Sequence, residues 1–373
     1  MIKILHIARP VAGVGVYISL LSKYINSNQF SNAIICNTNE KIISINNDSD
    51  VKVDHFHCNI KREIRLFNDI KCLVKIYKIV KQLKPNIIHC HSAKSGVLGR
   101  LVGFLTKTKT IYTPHAYSYL SAESKKQQFI LKNIERFFSK IPSTTLACSA
   151  SEYKRALFDL KIPKEKIIHW NNSIENEISL STCNSLAKLP KEYICSIGRP
   201  SYQKNTELLV EAVTRIKRTH SNIHLVILGV GFYSPTLEKI EKSILDKNLS
   251  QNITLIPWLK RDLSLAILNK SLVYISSSRY EGLPYSAIEA LSLSKPCVLT
   301  NVDGNKDLVK DNYNGFLVKE NATEMAESIT KILDDPVLRK RMEKNSRIEF
   351  EDLFDINKNI KKLENLYFQE NLK

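Results

Sequence analysis

Two glutamates separated by seven residues, Glu281 and Glu289, lie in SSSRYEGLPYSAIEALSLSKPCVLTNVDGNKDLVKDNYNGFLV at 276–318. The apolar run LVYISSS brings the chain into the loop Arg279 to Leu283, and Pro284 suits the first turn of a following helix. Such a helix start turns the backbone N–H groups of Gly282, Leu283 and Tyr285 outward around Pro284, which has none, a setting for a diphosphate. Glu281 on the loop and Glu289 about one turn further in can accept hydrogen bonds from hydroxyl groups. Arg199 and Lys204, in SIGRPSYQKN at 196–205, supply two fixed cations able to balance the charge of a diphosphate. They take the part a divalent ion would play, so neither a metal nor another cofactor is expected.

Weaker signals lie elsewhere. Gly229 closes the run HLVILG and Gly231 stands two residues beyond, and a G-x-G has value only because it comes at the end of a strand. Gly13, in PVAGVGVYISLL at 10–21, permits close backbone approach at a strand-to-helix turn, which Ala12 supports less. His115 closes TIYTPH at 110–115. His89, Cys90 and His91 have the residue types of a zinc site, but alternation along a strand sends neighbouring side chains to opposite faces.

These residues need elements to hold them. Short apolar runs alternate with helical patterns along the whole chain, which predicts βαβ units and parallel sheets. IKILHI (2–7), AIIC (33–36), NIIHCH (86–91) and TIYTPH (110–115) read as strands of one sheet. YICSIG (193–198), HLVILG (224–229), ITLIP (253–257), LVYISSS (272–278) and PCVLT (296–300) read as strands of a second. VYISLLSKYI (16–25) and DIKCLVKIYKIVKQL (69–83) have helical spacing. A polar, Asn- and Ser-rich stretch at 171–190 is the expected linker. The expected domains are 1–175 and 186–345; a helical tail at 346–373 can pack back on the first. Within the tail, ENLYFQ at 364–369 matches a protease site used to remove purification tags, but the Glu370 that follows favours a natural tail.

The segment 276–318 resembles the nucleotide-sugar site of the retaining glycosyltransferases of family 4, on the E-x7-E pair and the linked E-G-L-P, E-A-L, G-x-x-x-L-V and N-G-F-L-V pieces. Gly198-Arg199 with Lys204 also matches the family, although the usual glycine after the lysine is Asn205 here. The resemblance implies a GT-B fold, two Rossmann-like domains facing a central cleft, with 1–175 binding the acceptor and 186–345 the donor. It implies sugar transfer from a nucleotide-sugar, expected to be a UDP-sugar, to a lipid-linked or saccharide acceptor in surface polysaccharide biosynthesis. In that setting Glu289 would hold the ribose diol, Glu281 and His115 the sugar, and the Gly229–Gly231 turn the nucleotide.

With 373 residues, 43% hydrophobic and 25% charged, the chain has the balance of a water-soluble globular protein of two domains. It contains no apolar run long enough to span a bilayer, and eight cysteines without a C-x-x-C fit a reduced, cytoplasmic protein. The net charge of +18 is uneven: residues 1–185 hold 27 Lys and Arg against 13 Asp and Glu. That basic half fits an anionic membrane surface, with Lys71, Lys75, Lys78 and Lys81 near one face of the 69–83 helix. The rival readings are a basic nucleic-acid-binding protein and a GT-B nucleotide-sugar epimerase. The first lacks any recognisable nucleic-acid motif, so no nucleic-acid partner is expected; the second lacks the E-x7-E set.

Overall fold

The structure, a computed structural model, describes residues 1–38, 53–61, 63–177, 189–231 and 234–372. The linker expected at 171–190 lies partly outside the described residues. The chain forms two compact units, Met1–Ser173 with Ile356–Lys373, and Ile174–Asp355.

The first unit is built on seven parallel strands: β1 (Ile2–Ile7), β2 (Phe30–Cys36), β3 (Asp54–His57), β4 (Ile87–His91), β5 (Lys109–Thr113), β6 (Thr144–Ala147) and β7 (Ile167–His169). Their order is β3-β2-β1-β4-β5-β6-β7. Sequence order reverses between β1 and β4, the switch point at which such sheets open a crevice beyond their carboxyl ends. The helices of this unit are α1 (Gly13–Tyr24), α2 (Leu66–Leu83), α3 (Ala93–Thr106), α4 (Lys125–Phe138) and the short α5 (Ala150–Lys154).

The second unit repeats the architecture. Its strands β8 (Ile194–Ile197), β9 (Leu225–Val230), β10 (Ile253–Pro257), β11 (Val273–Ser276), β12 (Cys297–Thr300) and β13 (Gly315–Val318) run β10-β9-β8-β11-β12-β13, all parallel, with the reversal between β8 and β11. Its helices are α6 (Thr206–Ile216), α7 (Leu237–Asp246), α8 (Arg261–Lys270), α9 (Tyr285–Ser292), α10 (Ala322–Asp334) and α11 (Pro336–Leu353). Each core is an unbroken apolar layer, around Leu5, Ile7, Ile88 and Tyr112 in one unit and Ile194, Leu225, Ile275 and Val298 in the other. Burial on both faces explains why these strands read as continuous apolar runs.

The tail differs in extent from the expectation. Residues from 346 continue α11 within the second unit, and the helix that belongs to the first unit is α12 (Ile356–Leu372). Trp170 Nε1 donates to the Asn359 carbonyl at 2.9 Å, and Phe368 packs on Phe30. The ENLYFQ residues are therefore part of the folded unit, with the Tyr367 ring fully buried. The seven cysteines among the described residues are all buried. No helix among them is long and apolar enough to cross a membrane.

Candidate functional site

In the second unit the chemistry collects where β8, β9 and β11 end. Lys204 Nζ donates to Glu281 Oε1 at 2.6 Å, so the expected cation and carboxylate face each other, and Gln203 Nε2 adds a 3.4 Å bond to Glu281 Oε2. Ser277 at the end of β11 holds this loop by donating its hydroxyl to the Lys204 and Asn205 carbonyls at 2.8 and 2.9 Å. Asn205 has φ 47, the left-handed conformation that the family's glycine would take, and asparagine is the side chain that tolerates it with least strain. The substitution keeps the loop.

Two glycines bring the loops close. A Cβ on Gly304 would lie 2.8 Å from the Gly282 oxygen and 3.0 Å from Glu281 Cβ, so this residue forms the floor under the Glu281–Gly282 loop. Gly229 lies within β9 and not in the turn expected after it, because the strand runs on to Val230; a Cβ on it would sit 3.8 Å from the Gly198 backbone and 3.9 Å from the Arg199 nitrogen, which puts the end of β9 against the loop that carries half-buried Arg199. Gly231 faces open space. Leu283 is buried, and Pro284 sits one place earlier than expected. It is the residue before α9, not in its first turn; its carbonyl starts the helix by accepting from Ala287 and Ile288 N–H, and its missing N–H costs nothing there.

Glu289, within α9, belongs to a different group. Arg261 Nε donates to its Oε1 at 2.7 Å, and Arg261 Nη1 donates to Glu175 Oε1 at 3.0 Å. Desolvation opposes the charge on Arg261, but Glu289 and Glu175 outweigh it and hold the pKa above its ordinary value. Arg261 Nη2 and Glu175 Oε2 are buried without a partner, hydrogen-bonding capacity that a ligand could use. Sequence reasoning missed Arg261 and Glu175, because their only mark is proximity in the fold.

In the first unit, strained residues mark the carboxyl ends of β1, β4 and β5. Ala12, Ser92, His115 and Ala116 have φ of 52, 67, 53 and 75, which non-glycine residues adopt only where the surroundings hold them. Gly13 opens α1 immediately after Ala12. His115 was expected at a strand end, but β5 stops at Thr113 and His115 stands two residues beyond, on a turn. The buried Glu152 carboxylate fixes that turn: its oxygens accept from Ala116 N–H and Cys148 N–H, each at 2.8 Å.

His115 is half-buried, with the Tyr17 ring edge-on at 4.9 Å. Behind it lie His91, His89 and His6. His6, His89 and His91 offer nitrogens within 4.8 Å of one another, the residue types of a zinc centre. Every ring nitrogen of the three already has a hydrogen-bond partner: His6 has His91 and Asn32, His91 has His6 and His115, and His89 has Tyr367 and Thr113. Strand alternation does point Cys90 away, toward Gly99 of α3. It also puts His89 and His91 on one face, and the register His6↔His89 adds the third ring.

The chain has known relatives. Residues 11–177 match the model described as Glycosyltransferase Family 4, and residues 184–349 the model for Glycosyl transferases group 1. The chain is 30% identical over 383 residues to the Escherichia coli UDP-Gal:alpha-D-GlcNAc-diphosphoundecaprenol alpha-1,3-galactosyltransferase, covering 98% of this chain and 96% of that protein. It is 26% identical to the Staphylococcus aureus capsular polysaccharide biosynthesis glycosyltransferase CapM, over 83% of each chain. The fold superposes on the Anabaena protein Alr3699/HepE in complex with UDP-glucose with a TM-score of 0.80 at 15% identity, covering 98% of this chain and 100% of that one. The fold class is thus the GT-B architecture expected from the sequence. The chain belongs to the group 1 (family 4) glycosyltransferases of the surface polysaccharide type, and it is a sugar-transferring enzyme.

Proposed function

We propose that the chain transfers a sugar, with retention at the anomeric carbon, from a UDP-sugar to a lipid-diphosphate-linked saccharide during assembly of a surface polysaccharide. The observation that carries this is the Lys204–Glu281 pair beside the start of α9, which sets a cation for the diphosphate next to a carboxylate for the sugar. The names of the E. coli relative, with its UDP-Gal donor and diphosphoundecaprenol acceptor, and of the UDP-glucose complex support the choice of donor and acceptor.

In this reading the diphosphate lies against the Gly282–Pro284 turn, with Arg199 and Lys204 beside it. The sugar–oxygen bond to the diphosphate breaks with its electron pair going to the phosphate, while an acceptor hydroxyl bonds to the same carbon and gives up its proton to the departing phosphate oxygen. Lys204 and Arg199 stabilise the charge that develops, in place of a divalent metal. Glu281 and His115 orient the sugar, Glu289 accepts from the ribose hydroxyls, and Gly13, Gly229 and Gly231 let backbone come close to the donor.

The acceptor's lipid requires a membrane surface, and α2 has the form of an interfacial helix. Leu66, Phe67, Ile70 and Val74 are exposed along its first turns, and Lys71, Lys75, Lys78 and Lys81 are exposed beside and beyond them. Such a face docks a cytoplasmic enzyme peripherally on anionic lipid. The test of the function is a thermal-shift comparison of UDP-, GDP- and dTDP-sugars, followed by transfer from the stabilising donor to a GlcNAc-diphosphate-lipid. Stabilisation by a GDP- or dTDP-sugar alone, or no transfer to that acceptor, would refute the proposed substrates.

A further inference from the structure

Behind His115 the imidazoles stand in single file. His115 Nε2 lies 3.1 Å from His91 Nδ1, His91 Nε2 lies 3.0 Å from His6 Nδ1, and His6 Nε2 lies 3.3 Å from Asn32 Oδ1. His6 and His91 are fully buried, and Asn32 is nearly so. A neutral imidazole carries one N–H and one lone pair, so each bond in such a file dictates the next. With an amide oxygen at its end, His6 must carry its hydrogen on Nε2, and so must His91 and His115. The lone pair of His115 is then on Nδ1.

We propose that Asn32, His6 and His91 are positioning residues that hold His115 as the Nε2–H tautomer, so that its Nδ1 accepts a hydrogen bond from a hydroxyl of the transferred sugar. This rests on the reading that His115 orients that sugar. Desolvation keeps the file neutral: it lowers the His6 pKa to about 4 and that of His115 to about 3, and holds His91 well below the usual range. The file conducts no net proton, because the Asn32 amide can neither supply nor take one; it fixes a tautomer. Flanking groups leave the file intact. His89 is bonded to Tyr367 Oη and Thr113 Oγ1, and the Tyr17 ring packs on His91 and His115. Asn32 Nδ2 is buried without a partner, so the amide forgoes a bond at its donor while its acceptor faces the file. A group left unsatisfied inside a fold calls for such a reason.

The test uses the full chain labelled with 15N-histidine and long-range proton–nitrogen spectra at neutral pH. His6, His91 and His115 are expected as Nε2–H tautomers in the wild type and in Asn32→Asp, whose carboxylate can only accept. In Asn32→Leu the sense of the file is lost: His115 shows mixed tautomers and kcat falls about tenfold with donor affinity little changed, the scale of one hydrogen bond made in the transition state. Asn32→Asp is expected to recover part of that loss. Wild-type His115 as the Nδ1–H tautomer overturns the proposal, and this spectrum decides alone if Asn32→Leu does not fold. An unchanged tautomer in folded Asn32→Leu also overturns it. A tautomer that shifts with no change in kcat overturns it through its premise, removing His115 from the sugar while leaving the file in place.

Discussion

Replacing Glu289 by alanine separates a donor-binding carboxylate from a structural one. The side chain is 10% exposed, and its Oε1 accepts from Arg261 Nε at 2.7 Å. If the carboxylate also accepts from the ribose diol, its loss costs about 1–3 kcal/mol of donor binding, about 5- to 150-fold in Kd. The folding cost is smaller. Arg261 is 33% exposed and keeps Glu175 as a partner, so solvent screening limits the lost ion pair to about 1 kcal/mol. For a unit of this size that is about 2–4 °C in Tm. Arg261→Ala keeps the carboxylate but removes its brace, and is expected to weaken donor binding less than Glu289→Ala does. Because the two side chains touch, the double variant should bind the donor no more weakly than Glu289→Ala within about 0.5 kcal/mol. Calorimetric titration with the UDP-sugar and thermal unfolding read both quantities. Unchanged donor affinity in folded Glu289→Ala, or additive losses in the double variant, would refute the reasoning.

Turnover should persist in excess EDTA, since Arg199 and Lys204 take the electrostatic role; complete loss restored by magnesium or manganese would overturn that assignment. Gly304→Ala has φ 79 and a Cβ 2.8 Å from the Gly282 oxygen, so it should destabilise the second unit by about 1–3 kcal/mol in urea titration and weaken donor binding with it. The first unit should lose stability as pH falls from 6.5 toward 4. Burial depresses His6, His89, His91 and His115 below the ordinary 6.5, the unfolded chain binds the protons first, and each contributes a slope of about 1.4 kcal/mol per pH unit. Urea midpoints that stay flat across that window would contradict it. Changing Lys71, Lys75, Lys78 and Lys81 together to glutamine should abolish low-salt co-sedimentation with anionic vesicles, and equal binding of variant and wild type would remove α2 as the docking face.

The parts of the fold legible in the sequence were those whose signal is local and strong. The strands β1, β2, β4, β5 and β8 to β12 appear as apolar runs, and they end within a few residues of where the spacing puts them. The strands that escaped are short or polar. Asp54–His57 is an edge strand with exposed and half-buried side chains, Ile167–His169 is an edge of three residues, and Thr144–Ala147 inside the first sheet and Gly315–Val318 at the edge of the second span only four each. An edge strand packs on one side only, so its composition need not be apolar. The tail boundary went astray for a related reason: α11 and α12 are both charged amphipathic helices, and only tertiary packing assigns one to each unit.

The same contrast divides the candidate site. The second unit writes its chemistry in one segment, because a strand, a loop and a helix start follow one another along the chain, and Glu281, Gly282 and Glu289 are read in a single pass. Its braces lie far away in sequence: Lys204 is 77 residues from Glu281, and Arg261 is 28 from Glu289 and 86 from Glu175. The first unit has no such segment. Its file of histidines takes one ring from β1, one from β4 and one from the turn after β5, and a histidine in a strand has no local partner to betray its use. Two facts were nonetheless within reach. The period of two along IIHCH puts His89 and His91 on one face, and the switch point makes β1 the neighbour of β4. With the register His6↔His89, those two facts are enough to stack three imidazoles behind the turn that carries His115. A histidine two residues from a second one in a buried parallel strand, with a third in the first strand of the same sheet, is therefore a pattern to test as a unit, since its meaning lies in the pairing of strands and in no single position.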